Sequence, residues 1–227
     1  MTRAPVSTGI RSVIFDFDYT LADSSAGVFD CINTALVQMG FVAAGRQQAD
    51  ATIGLPLAET FSRLTGNADE PLRAEFVGRF HQRAEVVMVN STKVFGFVPE
   101  MLRGVRDRGI SAAVASTKGR KHIEEILERL QLRSIFGTIV GGDDVECQKP
   151  HPEALFAVMQ RLGTSPAESL YIGDSVVDAE AASRAGISFI AVLSGVTPRS
   201  AFDSYAAAAV LNDASELPAW LELEIER

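Results

Sequence analysis

The stretch Val13-Ile14-Phe15-Asp16-Phe17-Asp18-Tyr19-Thr20 joins an apolar run to two carboxylates spaced two residues apart. A short apolar run of this kind reads as a buried strand over residues 12–17. Side chains alternate across a strand, so Asp16 and Asp18 are expected on one face while Phe17 turns into apolar packing. Two like charges that close require a counter-cation, which Mg²⁺ supplies through oxygen ligands. A second apolar run, Leu170-Tyr171-Ile172, leads into a matching pair in Gly173-Asp174-Ser175-Val176-Val177-Asp178. Together the two segments point to metal-assisted phosphoryl transfer.

Outward from these anchors, the pattern pauses after the first strand and resumes near residue 93. Within the pause Val28, Phe29, Ile32, Ala35, Leu36 and Met39 recur at helical spacing, with Ser24 or Ser25 as N-cap and Gly40 as stop. Leu72, Phe76, Phe80, Ala84, Val87 and Met88 make a second stripe, and two shorter helices are expected between them around Gly54-Leu55-Pro56. This predicts an all-helical cap over residues 23–92, inserted into a core formed by 1–22 and 93–227. Beyond it, helices over 99–108, 120–130, 152–162 and 177–185 alternate with strands over 110–115, 138–140, 170–172 and 187–192. A strand near 209–211 and a helix over 215–224 carrying Trp220 close the core. Such a series gives an α/β fold, a Rossmann-like three-layer parallel sheet with its ligand site at the strand C-termini.

Composition bounds the function. The chain has 227 residues, 47% of them hydrophobic, which suffices for a sizeable core. Its formal charge of −8 argues against nucleic acid or anionic membrane as partners, because both demand concentrated Lys and Arg. Cys31 and Cys147 stand far apart without a CxxC or Cys/His cluster, which suits a reducing cytoplasm. The polar start, residues 1–9, and the strand-length apolar run after it predict neither a signal peptide nor a membrane helix. The expected state is a monomer or weak homodimer whose partner is a small phosphorylated substrate.

Asp16-x-Asp18-x-Thr20, Ser116, Lys149 and Gly173-Asp174-x-x-x-Asp178, in that order, resemble the four signature motifs of the haloacid dehalogenase superfamily. Asp23-Ser24, Lys149-Pro150-His151-Pro152-Glu153 and the early helical insertion are similar to its phosphoglycolate phosphatase and β-phosphoglucomutase branch. The resemblance implies that Asp16 is a nucleophile forming an aspartyl-phosphate. It implies that Asp16, Asp174 and the backbone carbonyl of Asp18 bind Mg²⁺, which frees the Asp18 carboxyl for general acid and base work. Ser116, with Thr117 and Lys118 beside it, would hold the phosphate, and Lys149 would balance the charge of Asp16 and the transferred group. Asp178 would hold a metal-bound water or Lys149, and Thr20 would support the nucleophile's loop.

Each motif residue also has a plainer reading. Ser116 could be a helix N-cap, Lys149 a solvated loop lysine, and Asp178 a favourable charge at a helix N-terminus. The chain departs from the resemblance at Tyr19, where Gly is common; the ring would narrow the site or pack beneath the cap. Residues 52–57 hold no lysine, which disfavours phosphonatase chemistry, and Val28 stands where mutases place a histidine. Dehalogenases lack the second carboxylate of the first motif, and Asp18 is present. The uncharged loop Ile53-Gly54-Leu55-Pro56-Leu57 suggests water exclusion or an ordinary turn, and Lys118 and Arg120 are the nearest groups for an acidic or sugar substituent. His81, His122 and His151 share no spacing and are expected in surface or packing roles. The leading function is a Mg²⁺-dependent phosphatase for a small phosphomonoester; the alternatives are a phosphosugar mutase or a non-catalytic binding protein on the same fold.

Overall fold

A computed structural model describes residues 9–225. The N-terminal stretch read above as polar falls almost wholly outside them. Six strands, β1 (Ser12–Phe15), β4 (Ser111–Ala115), β5 (Phe136–Val140), β6 (Ser169–Gly173), β7 (Ser188–Val192) and β8 (Ala209–Leu211), form one sheet in the order β5-β4-β1-β6-β7-β8. Every pairing in it is parallel. The order reverses direction beside β1, so the crevice at its C-terminal end is a topological switch point, where α/β sheets place their ligands.

Alternation along β1 splits the core into two layers. Val13, Phe15 and Phe17 pack with α5 (Val98–Asp107), α6 (Arg120–Arg129) and α9 (Leu217–Ile225) on one face. Ile14 turns to the other face, against α7 (Glu153–Leu162) and α8 (Val176–Ala185). With both faces covered, the strands are buried on both sides and read as continuous apolar runs. Trp220 sits in the first layer, 7% exposed, as core closure requires.

The helical insertion comprises α1 (Ser25–Gln38), α2 (Arg46–Asp50), α3 (Leu57–Thr65) and α4 (Glu70–Ser91). It has its own apolar centre, where Val28, Ile32 and Leu36 of α1 meet Phe61 of α3 and Phe76, Phe80 and Met88 of α4. The chain enters it through β2 (Ala22–Asp23) and leaves through β3 (Lys93–Val94), which pair antiparallel as Ala22↔Val94 and Asp23↔Lys93. Sequence patterning does not anticipate these strands, because two residues carry no period.

Strand β1 ends at Phe15, two residues short of the expected strand, although the Asp16 amide still donates to Ile172 O at 2.8 Å. From there the chain turns. Leu21 and Ala22 amides both donate to Phe17 O, and Tyr19 adopts φ 61°. The expectation that Asp16 and Asp18 share a strand face is thereby corrected: the turn sends the two carboxylates to different lysines.

Candidate active site

Asp16 lies at the end of β1 and is 2% exposed. Lys149, on the loop before α7 and equally buried, donates to Asp16 Oδ1 at 2.8 Å and to Asp178 Oδ1 at 2.6 Å. Tyr171 of β6 completes the cluster, its hydroxyl 3.0 Å from Lys149 Nζ and 2.7 Å from Asp178 Oδ1. Nothing in the sequence singled out Tyr171, since an aromatic ring inside an apolar strand reads as core. Lys149 is therefore no solvated loop residue: a buried ammonium persists only when paired, and here two carboxylates pair it.

Asp178 does two jobs at once. As the third residue of α8 it forms a capping box, accepting from the Ser175 amide at 3.1 Å while Ser175 Oγ accepts from its own amide at 3.2 Å. Its Oδ2 also lies 2.6 Å from Ser175 Oγ. With Lys149 and Tyr171 on Oδ1 and Ser175 on Oδ2, its lone pairs are taken, so it holds Lys149 rather than offering free oxygen.

Asp174 is different. Among the described residues no side-chain hydrogen bond reaches its carboxylate, and it is buried. Burial foremost, then the charges of Asp178 and Asp16, hold its carboxyl well above the usual carboxylate range. The same burial pushes Asp16 up to about 6, against the pull of Lys149. Oxygens of Asp16, Asp174 and Asp178 lie within 4.8 Å of one another. Three buried carboxylates against one lysine leave a negative excess, and the oxygens of Asp16 and Asp174, unlike those of Asp178, are left to face a hard divalent cation. Gly195 lies against this group, and a Cβ there would overlap the Asp174 carboxylate, so that approach requires glycine.

The Asp18 carboxylate faces Lys118 of the loop after β4, whose Nζ lies 3.0 and 3.1 Å from its two oxygens. Ser24 Oγ donates to Asp18 Oδ1 at 2.5 Å and accepts from Thr92 Oγ1 at 3.2 Å. Ser24 precedes α1 but makes no side-chain cap, because its hydroxyl is committed to Asp18; Asp23 Oδ1 takes the Ser25 amide instead, at 2.9 Å. Sequence reading places Ser24 only in the Asp23-Ser24 pair and as a helix cap, and Thr92 not at all, because a contact with Asp18 across the two linkers leaves no local pattern.

Ser116 is 3% exposed at the end of β4, and its Oγ accepts from the Lys118 amide at 3.3 Å. The N-cap of α6 is Gly119, so a capping role is not open to Ser116. Thr117 Oγ1 reaches Gly54 O of the insertion at 3.4 Å. Thr20 is buried, and its hydroxyl has no hydrogen-bond partner among the described residues. Arg120 pairs with Asp144 at 3.4 Å and Lys118 with Asp18, so neither cation proposed for a substrate substituent is uncommitted.

Tyr19 packs beneath the insertion, 9% exposed, beside Ser25, Arg46 and Asp50. Burial, aided by Asp50, pushes its hydroxyl up to about 12. Its positive φ explains why glycine suits this position.

His81 and His122, which share no spacing and are expected in surface or packing roles, both line one cavity of about 490 Å³ between the insertion and the core. They lie on facing elements, a proximity that sequence spacing does not encode.

This fold and site agree with what the chain is similar to. Residues 13–192 match the haloacid dehalogenase-like hydrolase family, and the chain belongs to it. A phosphoglycolate phosphatase of Pseudomonas syringae pv. tomato is 30% identical over 223 residues, covering 95% of this chain and 82% of that protein. A Dickeya dadantii protein named as a probable phosphatase is 34% identical over 187 residues, covering 81% of each. The crystal structure of a Bacteroides fragilis protein described as a haloacid dehalogenase-like hydrolase superposes with a TM-score of 0.89 at 36% identity, covering 92% of this chain and 99% of that one.

Proposed function

We propose that the chain is a Mg²⁺-dependent phosphatase acting on a small phosphomonoester through an aspartyl-phosphate on Asp16. The observation that carries this reading is the buried group of Asp16, Asp174 and Asp178 around Lys149, with Asp18 held separately a short way along the same loop. Asp16, Asp174 and the Asp18 carbonyl would hold the ion, which neutralises the charge of the phosphoryl group and the attacking carboxylate when bound. Lys149 orients Asp16 and balances its charge. The Asp16 carboxylate attacks phosphorus, the bond to the leaving oxygen breaks, and Asp18 protonates that oxygen. Water then attacks the aspartyl-phosphate, Asp18 takes its proton, and inorganic phosphate leaves. Ser116 and Thr117 contribute hydroxyls and backbone amides to the phosphate oxygens. Residues 23–92 serve as a cap over the core of 1–22 and 93–227, moving as a unit through their two linkers. Its two free cysteines suit a reducing cytoplasm.

The names of the relatives make phosphoglycolate one candidate substrate. A mutase is disfavoured because Val28, which lines the cavity, offers no hydrogen bond to steer a sugar hydroxyl. The test is Asp16→Asn, which keeps the shape but cannot form the acyl phosphate. Phosphate release is expected to fall by about 10⁴-fold or more with the circular dichroism unchanged. Undiminished turnover in the folded variant would remove Asp16 from the mechanism.

A further inference from the structure

We infer that the leaving group this site accepts is an uncharged, carbon-rich alcohol rather than a short acid such as glycolate, an inference that rests on the phosphatase reading above. The cavity between insertion and core reaches the reacting end at Asp18, Thr117 and Lys118 and opens away from it for about 490 Å³. That lies within the usual range of small-molecule sites, roughly 300–1,000 Å³, and a two-carbon acid would leave most of it to water.

The part of its wall that the insertion contributes is largely apolar. Val28, Ile32, Phe80 and Met88 line it while being at most 8% exposed, and Leu55 on the connecting loop and Leu57 at the start of α3 continue it. The charged groups around it are already committed. Lys118 is held by both oxygens of Asp18, with side chains only 5% and 9% exposed. Lys121 is paired with Glu85 at the rim. His122, whose Nε2 lies 3.3 Å from the same Glu85, is held below its ordinary value by burial. Histidines apart, the lining carries three carboxylates, Asp18, Glu85 and Asp143, against the two ammonium groups of Lys118 and Lys121.

A carboxylate on the leaving group would thus enter an apolar chamber of negative balance with no uncommitted lysine. It would lose hydration with no uncommitted ammonium to replace it, which a charge moved out of water does not tolerate. An apolar chain or ring gains by the same move, since it surrenders surface to the wall and displaces water from it. The geometry therefore selects against charge at the leaving-group end of the substrate.

The deciding experiment compares kcat/KM, by phosphate release with Mg²⁺, for 2-phenylethyl phosphate and 2-phosphoglycolate. At least a tenfold preference for the phenylethyl ester is expected, and equal or better use of phosphoglycolate overturns the inference. Release from neither ester would count against the phosphatase reading, and calorimetry would then judge the leaving-group preference separately. There, 3-phenylpropylphosphonate is expected to bind at least tenfold tighter than 3-phosphonopropionate, and the reverse order overturns it. Two variants locate the preference in this cavity. Leu55→Lys adds a cation to the wall, and Glu85→Gln frees Lys121 at the rim. Each is expected to shift the ratio at least threefold towards the acid, and a ratio unmoved in both folded variants would overturn the assignment to this cavity.

Discussion

Asp18 receives hydrogen bonds from Lys118 on the core and from Ser24 at the mouth of the insertion, and Thr92 on the other linker backs Ser24. The turn thus hands one carboxylate to positioning groups on three segments, while Asp16 goes to Lys149. Asp18→Asn keeps the size but removes the transferable proton. Its rate is expected to fall by about 10²–10⁴-fold for alkyl phosphates and far less for p-nitrophenyl phosphate, whose leaving group needs no protonation. Equal losses on both, measured by steady-state kinetics, would deny Asp18 the role of acid. Glu168 tests electrostatics away from the site. It accepts from the Ser165 amide at 2.9 Å and from Arg11 Nη1 at 3.0 Å, and these partners hold its carboxyl at about 2, below its ordinary 4.5. A depressed folded value means that its contribution is full above pH 4.5 and fades as the pH falls towards 2. Glu168→Gln is expected to melt below the wild type at pH 7, with the gap narrowing below pH 4.5 in a series of thermal melts.

Among the elements, α4 shows how far periodicity reaches. Phe76, Phe80, Ala84 and Met88 form its buried stripe, as their spacing indicates, and Phe76 packs between Phe61 and Phe80 with ring centroids 5.4 and 6.3 Å away. Phe76→Ala is expected to cost about 3–5 kcal/mol in chemical denaturation. The loss should appear first as faster hydrogen exchange in α1, α3 and α4, because this centre is separate from those flanking the sheet. The sheet was equally legible: each apolar run became a strand within two residues of its expected ends, since parallel strands buried on both faces have no polar positions to blur them. What the sequence hides is whatever depends on two distant segments meeting. Lys118 finds Asp18 across 100 positions and Lys149 finds Asp16 across 133, and no local pattern encodes either pairing. The roles expected of Asp16, Lys149 and Asp174 came from motif order, whereas Tyr171 and Thr92 belong to no motif, and the contact of Ser24 with Asp18 required coordinates.

For the whole molecule, the unbalanced carboxylates at the switch point would link folding to the cation binding proposed above. An ion that binds only the folded chain adds about 2.7 kcal/mol at a hundred times its dissociation constant. For a chain of this size that is a rise of about 5–10 °C in melting temperature. Mg²⁺ is therefore expected to raise the melting point of the wild type and to leave Asp174→Ala nearly unmoved, while excess chelator abolishes phosphate release. Turnover that persists in chelator would contradict the proposed chemistry. The paired strands β2 and β3 carry a different consequence. Because Ala22 lies opposite Val94 and Asp23 opposite Lys93, the insertion begins and ends at neighbouring points of the chain, as the two arms of a hairpin do. A two-residue Asn-Gly turn could join those arms in its place, and any helical bundle whose ends lie as close could be spliced there without disturbing the sheet. The polypeptide is built like a tool with a detachable head: Asp16, Asp18, Lys149 and Asp174 stay with the handle, and the head supplies the apolar side of the cavity beside them.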